Sequence, residues 1–329
     1  MATETFNSEA KILIRSKWSK EIIKFISDNL KIKLVYLGLP SPAAEDILEW
    51  IDYINEVIAF QCREYPKPSD PSQDREEIIR LEQKLEGLER QQKIDNFQVY
   101  DGYMEEVLTN RKDNMNIEFI QNDVIHIYNL DFCNEIKYPR EVLNENGDIV
   151  EVHKFDAVKN LLEGQAEIDS SVQRFILFLT INAKFKSDNL SEYIKNRSDQ
   201  DIQKYLKSIN NIRQLDTKEK NIRFLRTYVL ESLSEHFANS NFEIDILPTI
   251  RYEGISGHKM LHFTVFGTKN NDSEVSINKI KEFLSNKFIT IENNDFINLS
   301  LDTLNDENNN LTCPVDCFKT TNTYNNLWK

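Results

Sequence analysis

KIKLVYLGLPSPAAEDILEWIDYINEVIAFQ, residues 31–61, is the stretch that decides how the chain folds. It opens on an apolar run, Leu34 to Leu37, passes a turn rich in Gly, Pro and Ser, and enters a helix beginning near Pro42. It closes on a second apolar run, Val57 to Gln61. Short apolar runs between turn signals read as strands buried on both faces, and Pro suits a first helical turn. Strand, helix and strand in that order predict a βαβ unit with parallel strands.

The pattern repeats outward from this unit. Upstream, SEAKILIRSKWSKEIIKFISDNL places Ile12, Ile14, Trp18, Ile22, Ile23 and Ile26 on one helical face, so residues 1–29 form an N-terminal helical segment covering the sheet. Downstream, the loop PKPSDPSQD is followed by a helix from Asp74 to Lys93, with Ile78, Leu81, Leu85 and Leu88 as its apolar stripe. A third strand ends at Asp101-Gly102, a fourth spans Val124 to Leu130, FDAVKNLLEGQAEI reads as a helix, and Phe175 to Ile181 is a fifth strand. Residues 30–186 thus form a Rossmann-like α/β core: a mostly parallel sheet with helices on both faces. Residues 187–240 read as a helical insertion or lid. The runs Phe242 to Tyr252 and Met260 to Phe266 predict an antiparallel hairpin that, with a helix at Ile277 to Asn286, completes the sheet over 241–290. Residues 291–329 form an irregular Asn-rich tail, and no internal repeat is present.

Composition narrows the function. Hydrophobic residues at 40% and charged residues at 29% describe a globular chain rather than a disordered one. No apolar run approaches the roughly 20 residues of a membrane span, and the N-terminus lacks a signal-peptide layout, so a cytoplasmic protein without membrane contact is expected. Four cysteines, Cys62, Cys133, Cys313 and Cys317, are too few for a disulfide framework. The net charge of −14 opposes unaided binding to a polyanion, so a nucleic-acid ligand requires a basic partner subunit or a local basic patch such as NIRQLDTKEKNIRFLR.

In open parallel sheets ligands bind beyond the carboxyl ends of the strands, which makes the polar residues there the candidate site. These are Gly38, Pro40 and Ser41 after strand one, Gln61 at the end of strand two, Asp101 and Gly102 after strand three, and Asn129, Asp131 and Phe132 at strand four. The strand order and strand-end residues resemble class I S-adenosylmethionine-dependent methyltransferases, and in layout the bacterial methyltransferase-like proteins called three-Cys-motif partners. The resemblance covers roughly residues 30–267. It implies S-adenosylmethionine as cofactor. The loop Gly38-Leu39-Pro40-Ser41-Pro42 is implied to contact the methionine part, Gln61 to stand where the family places an acidic ribose ligand, and Asp101-Gly102 to meet the adenine. Asn129 or Asp131 is implied to hold an acceptor amine while Phe132 stacks on its base. The loop departs from the family in carrying one glycine and two prolines, and Gln61 departs in being an amide.

Each residue has a structural reading beside the functional one: Pro42 as a helix start, Asp101-Gly102 as a plain turn, Asp131 as a strand end. His126, His153, His236, His258 and His262 show no metal spacing, and His258 and His262 read as core or surface histidines. Cys313-Pro-Val-Asp-Cys317 supplies at most half of a zinc site, so no metal is expected. Nucleotide-binding P-loop, serine-elbow and dinucleotide fingerprints are absent from the sequence. The leading expectation is a methyltransferase-like enzyme acting on nucleic acid. The alternative is an inactive Rossmann-like scaffold in a multi-protein bacterial system, such as an anti-phage one. A nuclease in which Glu64, Asp101 and Asp131 converge on a metal ranks last.

Overall fold

The computed structural model describes residues 8–62, 75–132, 136, 139–144, 146–170, 172–184, 216–254, 257–270, 296–299 and 319. Helix α1 (Glu9–Leu13) runs through a π-helical turn, Ile14–Ser19, into α2 (Lys20–Leu30). Then follow β1 (Leu34–Gly38), α3 (Glu45–Glu49), β2 (Ile54–Gln61), α4 (Glu76–Arg90), β3 (Asn96–Asp101), α5 (Met104–Asn110) and β4 (Ile127–Asp131). A small hairpin, β5 (Arg140–Leu143) and β6 (Ile149–Val152), precedes α6 (Lys154–Glu167) and β7 (Val172–Asn182). The described chain continues with α7 (Thr217–Asn239), β8 (Glu243–Ile246), β9 (Thr249–Glu253), β10 (Lys259–Asn270) and β11 (Phe296–Leu299).

The main sheet has the order β11-β9-β10-β7-β4-β1-β2-β3, with β8 also pairing β10. Strands β3, β2, β1, β4 and β7 are mutually parallel, and β10 enters antiparallel beside β7. This is a Rossmann-like sheet, as the alternation of elements predicts. Strand β1 is buried along its whole length because alternate side chains face two covered layers. Leu34 and Tyr36 join Trp18, Ile22, Ile26, Ile47 and Trp50 from the N-terminal helices and α3. Val35 and Leu37 join α5, α6 and α7 through Val107, Leu161, Leu162 and Leu230 on the opposite face.

The structure adds detail that periodicity did not supply. The run expected as one strand from Phe242 is broken at Leu247-Pro248 into β8 and β9, since proline has no N–H for a sheet ladder. Residues 217–239, expected within an insertion or lid, form α7, whose Phe224, Leu230, Leu233 and Phe237 lie in the central core. Phe296–Leu299, within the expected irregular tail, pairs as β11 with β9. The helix expected at Ile277 to Asn286, Cys133, Cys313 and Cys317, Glu64 and residues 187–215 lie outside the described residues.

Candidate functional site

On the face covered by the N-terminal helices, each parallel strand carries an apolar column that ends at its carboxyl end in a glycine on β1 and in polar residues on the other four. Tyr36 is followed by Gly38, Ala59 by Gln61, Val99 by Asp101, Ile127 by Asn129 and Asp131, and Phe178 by Thr180. Above these ends lies a cavity of about 320 Å³. The loop after β1 lines it through Leu39, Pro40, Ser41 and Pro42, with Glu45, Asp46 and Trp50 from the segment behind it. Phe60, Gln61, Cys62, Glu77, Gly102, Tyr103, Met104 and Glu105 form one wall. Asn129, Asp131, Phe132, Arg140, Lys154, Thr180, Tyr252 and His262 form another, and Lys11, Ile14, Arg15 and Ser19 close it from the N-terminal helix.

Of the residues expected at a site, Pro40, Ser41, Gln61, Gly102, Asn129, Asp131 and Phe132 meet at this cavity, whereas Gly38 and Asp101 do not line it. A β-carbon at Gly38 would lie 2.5 Å from the Tyr36 hydroxyl and 2.6 Å from the Asn129 carbonyl oxygen, so that flank is already filled. Asp101 is 1% exposed and held on three sides. Its carboxylate meets Arg75 Nε at 3.1 Å and accepts from Asn114 Nδ2 at 3.3 Å, while its backbone N–H donates to Asp113 Oδ2 at 3.0 Å. Gln61 donates its amide to Glu77 Oε2 at 3.4 Å.

Asp46, for which the sequence offered no motif, is the hub of the loop side. It is 7% exposed, and its Oδ2 accepts from the Tyr36 hydroxyl at 2.6 Å and from Asn129 Nδ2 at 2.5 Å. Its Oδ1 is buried with no hydrogen-bond partner. Burial and the adjacent Asp46 carboxylate hold the Tyr36 phenol well above its ordinary pKa, so it remains a donor. The π-turn brings Arg15 over the cavity, where its carbonyl accepts from Trp50 Nε1 at 3.0 Å and its guanidinium lies 3.6 Å from Glu45. One turn earlier, Lys11 Nζ pairs with Asp131 Oδ2 at 2.5 Å.

At the far wall, His262 of β10 is buried, and its ring stacks on Phe178 with centroids 5.7 Å apart. Its Nδ1 lies 2.9 Å from Thr180 Oγ1, and its Nε2 has no partner. Burial lowers its pKa to about 4, so the imidazole is neutral near pH 7. Burial also lowers Lys154, whose Nζ sits 5.7 Å from the centroid of Phe132, while nearby Glu105 opposes that shift. Arg140 lies over the Tyr103 ring, 3.2 Å from its centroid. Lys11, Arg15, Arg140 and Lys154 thus mix with Glu45, Asp46, Glu77, Glu105 and Asp131, a lining suited to a small dipolar ligand rather than a polyanion. Among the described residues no cluster of His, Cys, Asp and Glu could hold a metal ion, and no helix is long and apolar enough to cross a membrane.

No curated protein matches the chain. Among solved structures, the O-methyltransferase from Bacillus cereus in complex with S-adenosylhomocysteine is 10% identical, with a TM-score of 0.33 over 79% of this chain and 81% of that one. The precorrin-6y C5,15-methyltransferase from Geobacter metallireducens is 8% identical, with a TM-score of 0.31 over 81% and 95%. The 23S rRNA methyltransferase ErmE is 9% identical, with a TM-score of 0.33 over 82% and 75%. A family model described as PP_RS20740-like matches residues 10–230, from the N-terminal helix through the parallel strands into α7. That span exceeds half of the 329 residues, and the chain belongs to the PP_RS20740-like family.

Proposed function

We propose that the chain is a methyltransferase-like protein that holds S-adenosylmethionine, or a nucleoside closely related to it, in the cavity over β1–β4. The observation that carries this reading is the buried Asp46 Oδ1, a carboxylate oxygen without a partner on the loop side of a cavity lined by both signs of charge. A buried acceptor left unsatisfied is costly, and an α-ammonium group is a donor that would satisfy it. Lys11 and Arg15 suit the α-carboxylate, and Phe60, Gly102 and Tyr103 offer the apolar and open surface that a purine takes. When bound, this cofactor supplies an electrophilic methyl group; the chain's own residues bind, orient and exclude water. The engagement of Asn129 with Asp46 and of Asp131 with Lys11 favours a second reading, nucleoside binding without transfer. On the first reading a nucleic-acid acceptor calls for a basic partner subunit or a local basic patch, given the net charge of −14.

The test is calorimetric titration with S-adenosylmethionine, S-adenosylhomocysteine and methylthioadenosine, the last lacking the amino-acid end. The reading expects saturable binding of the first two and weaker binding of the third. Asp46→Asn should weaken S-adenosylhomocysteine about 10- to 100-fold, the worth of one hydrogen bond to a charged group, and leave methylthioadenosine nearly unchanged. Absence of binding at millimolar S-adenosylmethionine and S-adenosylhomocysteine overturns it.

A further inference from the structure

Two cations meet where elementary electrostatics would keep them apart. The antiparallel pairing of the small hairpin sets Arg140 of β5 opposite Val152 of β6, and Lys154, two residues beyond Val152, lines the same cavity as Arg140. Lys154 is also the first residue of α6, a 14-residue helix whose amino end carries partial positive charge and favours an anion. His153 and Asp156 cap that end, yet the lysine beside them is only 8% exposed. Burial lowers its pKa, the Arg140 charge lowers it further, and Glu105 offsets only part of the shift. Arg140 is itself incompletely satisfied. Its guanidinium lies over the Tyr103 ring, its Nη1 is 3.8 Å from Glu106 Oε1, beyond hydrogen-bond reach, and its Nε is buried with no hydrogen-bond partner.

Two like charges and a positive helix end, partly withdrawn from water together, are costly to hold, and a ligand oxyanion between them offsets all three. The net charge of −14 repels polyanions at long range, so the anion that suits a cavity of about 320 Å³ is a single group on a small molecule. We infer that Arg140 and Lys154 form an oxyanion subsite, and that the methyl acceptor is a small molecule bearing a phosphate or carboxylate group. Both cations come from the hairpin and α6, whereas Lys11 and Arg15, which suit the cofactor's carboxylate, come from the N-terminal helix. The acceptor assignment rests on the cofactor reading above; the oxyanion subsite stands without it.

Inorganic phosphate is the probe, with acetate run in parallel so that the tighter of the two tells phosphate from carboxylate. Calorimetry on the wild-type chain should show saturable phosphate binding in the millimolar range, weakened about tenfold in Lys154→Gln and in Arg140→Gln. In phosphate-free buffer Lys154→Gln should keep or raise the urea midpoint, because it removes a buried charge. A lowered midpoint instead marks Lys154 as structural and takes it out of the subsite. No saturable heat from either anion at tens of millimolar, or unchanged affinity in both variants, overturns the subsite and leaves the cofactor reading standing. Simultaneous binding of the anion and S-adenosylhomocysteine supports the acceptor assignment. Competition between them gives the pair to the cofactor's own carboxylate and overturns it. Anion binding without any nucleoside binding removes the cofactor reading and the acceptor with it, and keeps the subsite. These wild-type titrations decide even if neither variant folds.

Discussion

Gly38 has no side chain because two of its neighbours fill the space one would need. The Tyr36 hydroxyl reaches into it on the way to Asp46, and the Asn129 carbonyl closes it from β4. Gly38→Ala should therefore cost about 1–3 kcal/mol by overpacking, read as a lower urea midpoint. Tyr36→Phe should not restore the loss, because the carbonyl oxygen 2.6 Å away belongs to the backbone and cannot swing aside. From the sequence a lone glycine after a strand is visible, and so is the list of polar strand ends. Asp46 was not, because its role depends on a ring from β1 and an amide from β4 reaching one carboxylate. His262 was legible as a core or surface histidine but not as a cavity residue, since its neighbour Thr180 lies 82 positions away.

At the scale of elements, the N-terminal helix is tied to the distant strand β10 as well as to its sequence neighbours β1 and α3. Trp18 is fully buried, and its indole N–H donates to Thr264 Oγ1 of β10 at 2.8 Å. Trp18→Phe should destabilise by about 1–3 kcal/mol through the orphaned hydroxyl alone, with the smaller ring adding to that. In a double-mutant cycle, Thr264→Val should cost less in the Trp18→Phe background than in the wild type. The helix itself was legible from its apolar stripe, but its π-turn was not; there the Arg15 carbonyl accepts both from the Lys20 N–H and from Trp50 Nε1, a residue outside the helix. The hairpin β5–β6 also went unread. Its strands have four residues each, and although Val142 and Val152 are buried, Leu143 and Ile149, paired across it, are 62% and 70% exposed, so apolar residues on both faces blur the alternation.

The molecule as a whole carries an acid-sensitive element. Burial lowers both His126, whose Nδ1 accepts from the Val35 N–H at 3.2 Å, and His262 to a pKa of about 4. An unfolded imidazole takes its proton near pH 6.5, so between roughly 6.5 and 4 the unfolded chain binds more protons and stability falls with pH. For His262 the full loss is on the order of 3 kcal/mol. Urea midpoints measured from pH 7 to 4.5 should decline, and more shallowly in His262→Phe; parallel declines in variant and wild type would contradict the assignment. At this scale the sequence was most legible, because alternation of strand and helix reports a parallel sheet whatever the individual contacts. Where β10 goes was not, since its insertion beside β7 reverses direction and is recorded in no local pattern. That placement affects how the protein is made. A ribosome releases β1 to β7 well before residues 259–270, and until then the eleven-residue edge of β7 has no partner. A chain cut short ahead of β10 would carry a long apolar strand edge, which is a template for pairing with other chains. Complete synthesis is thus a condition of solubility as well as of the site.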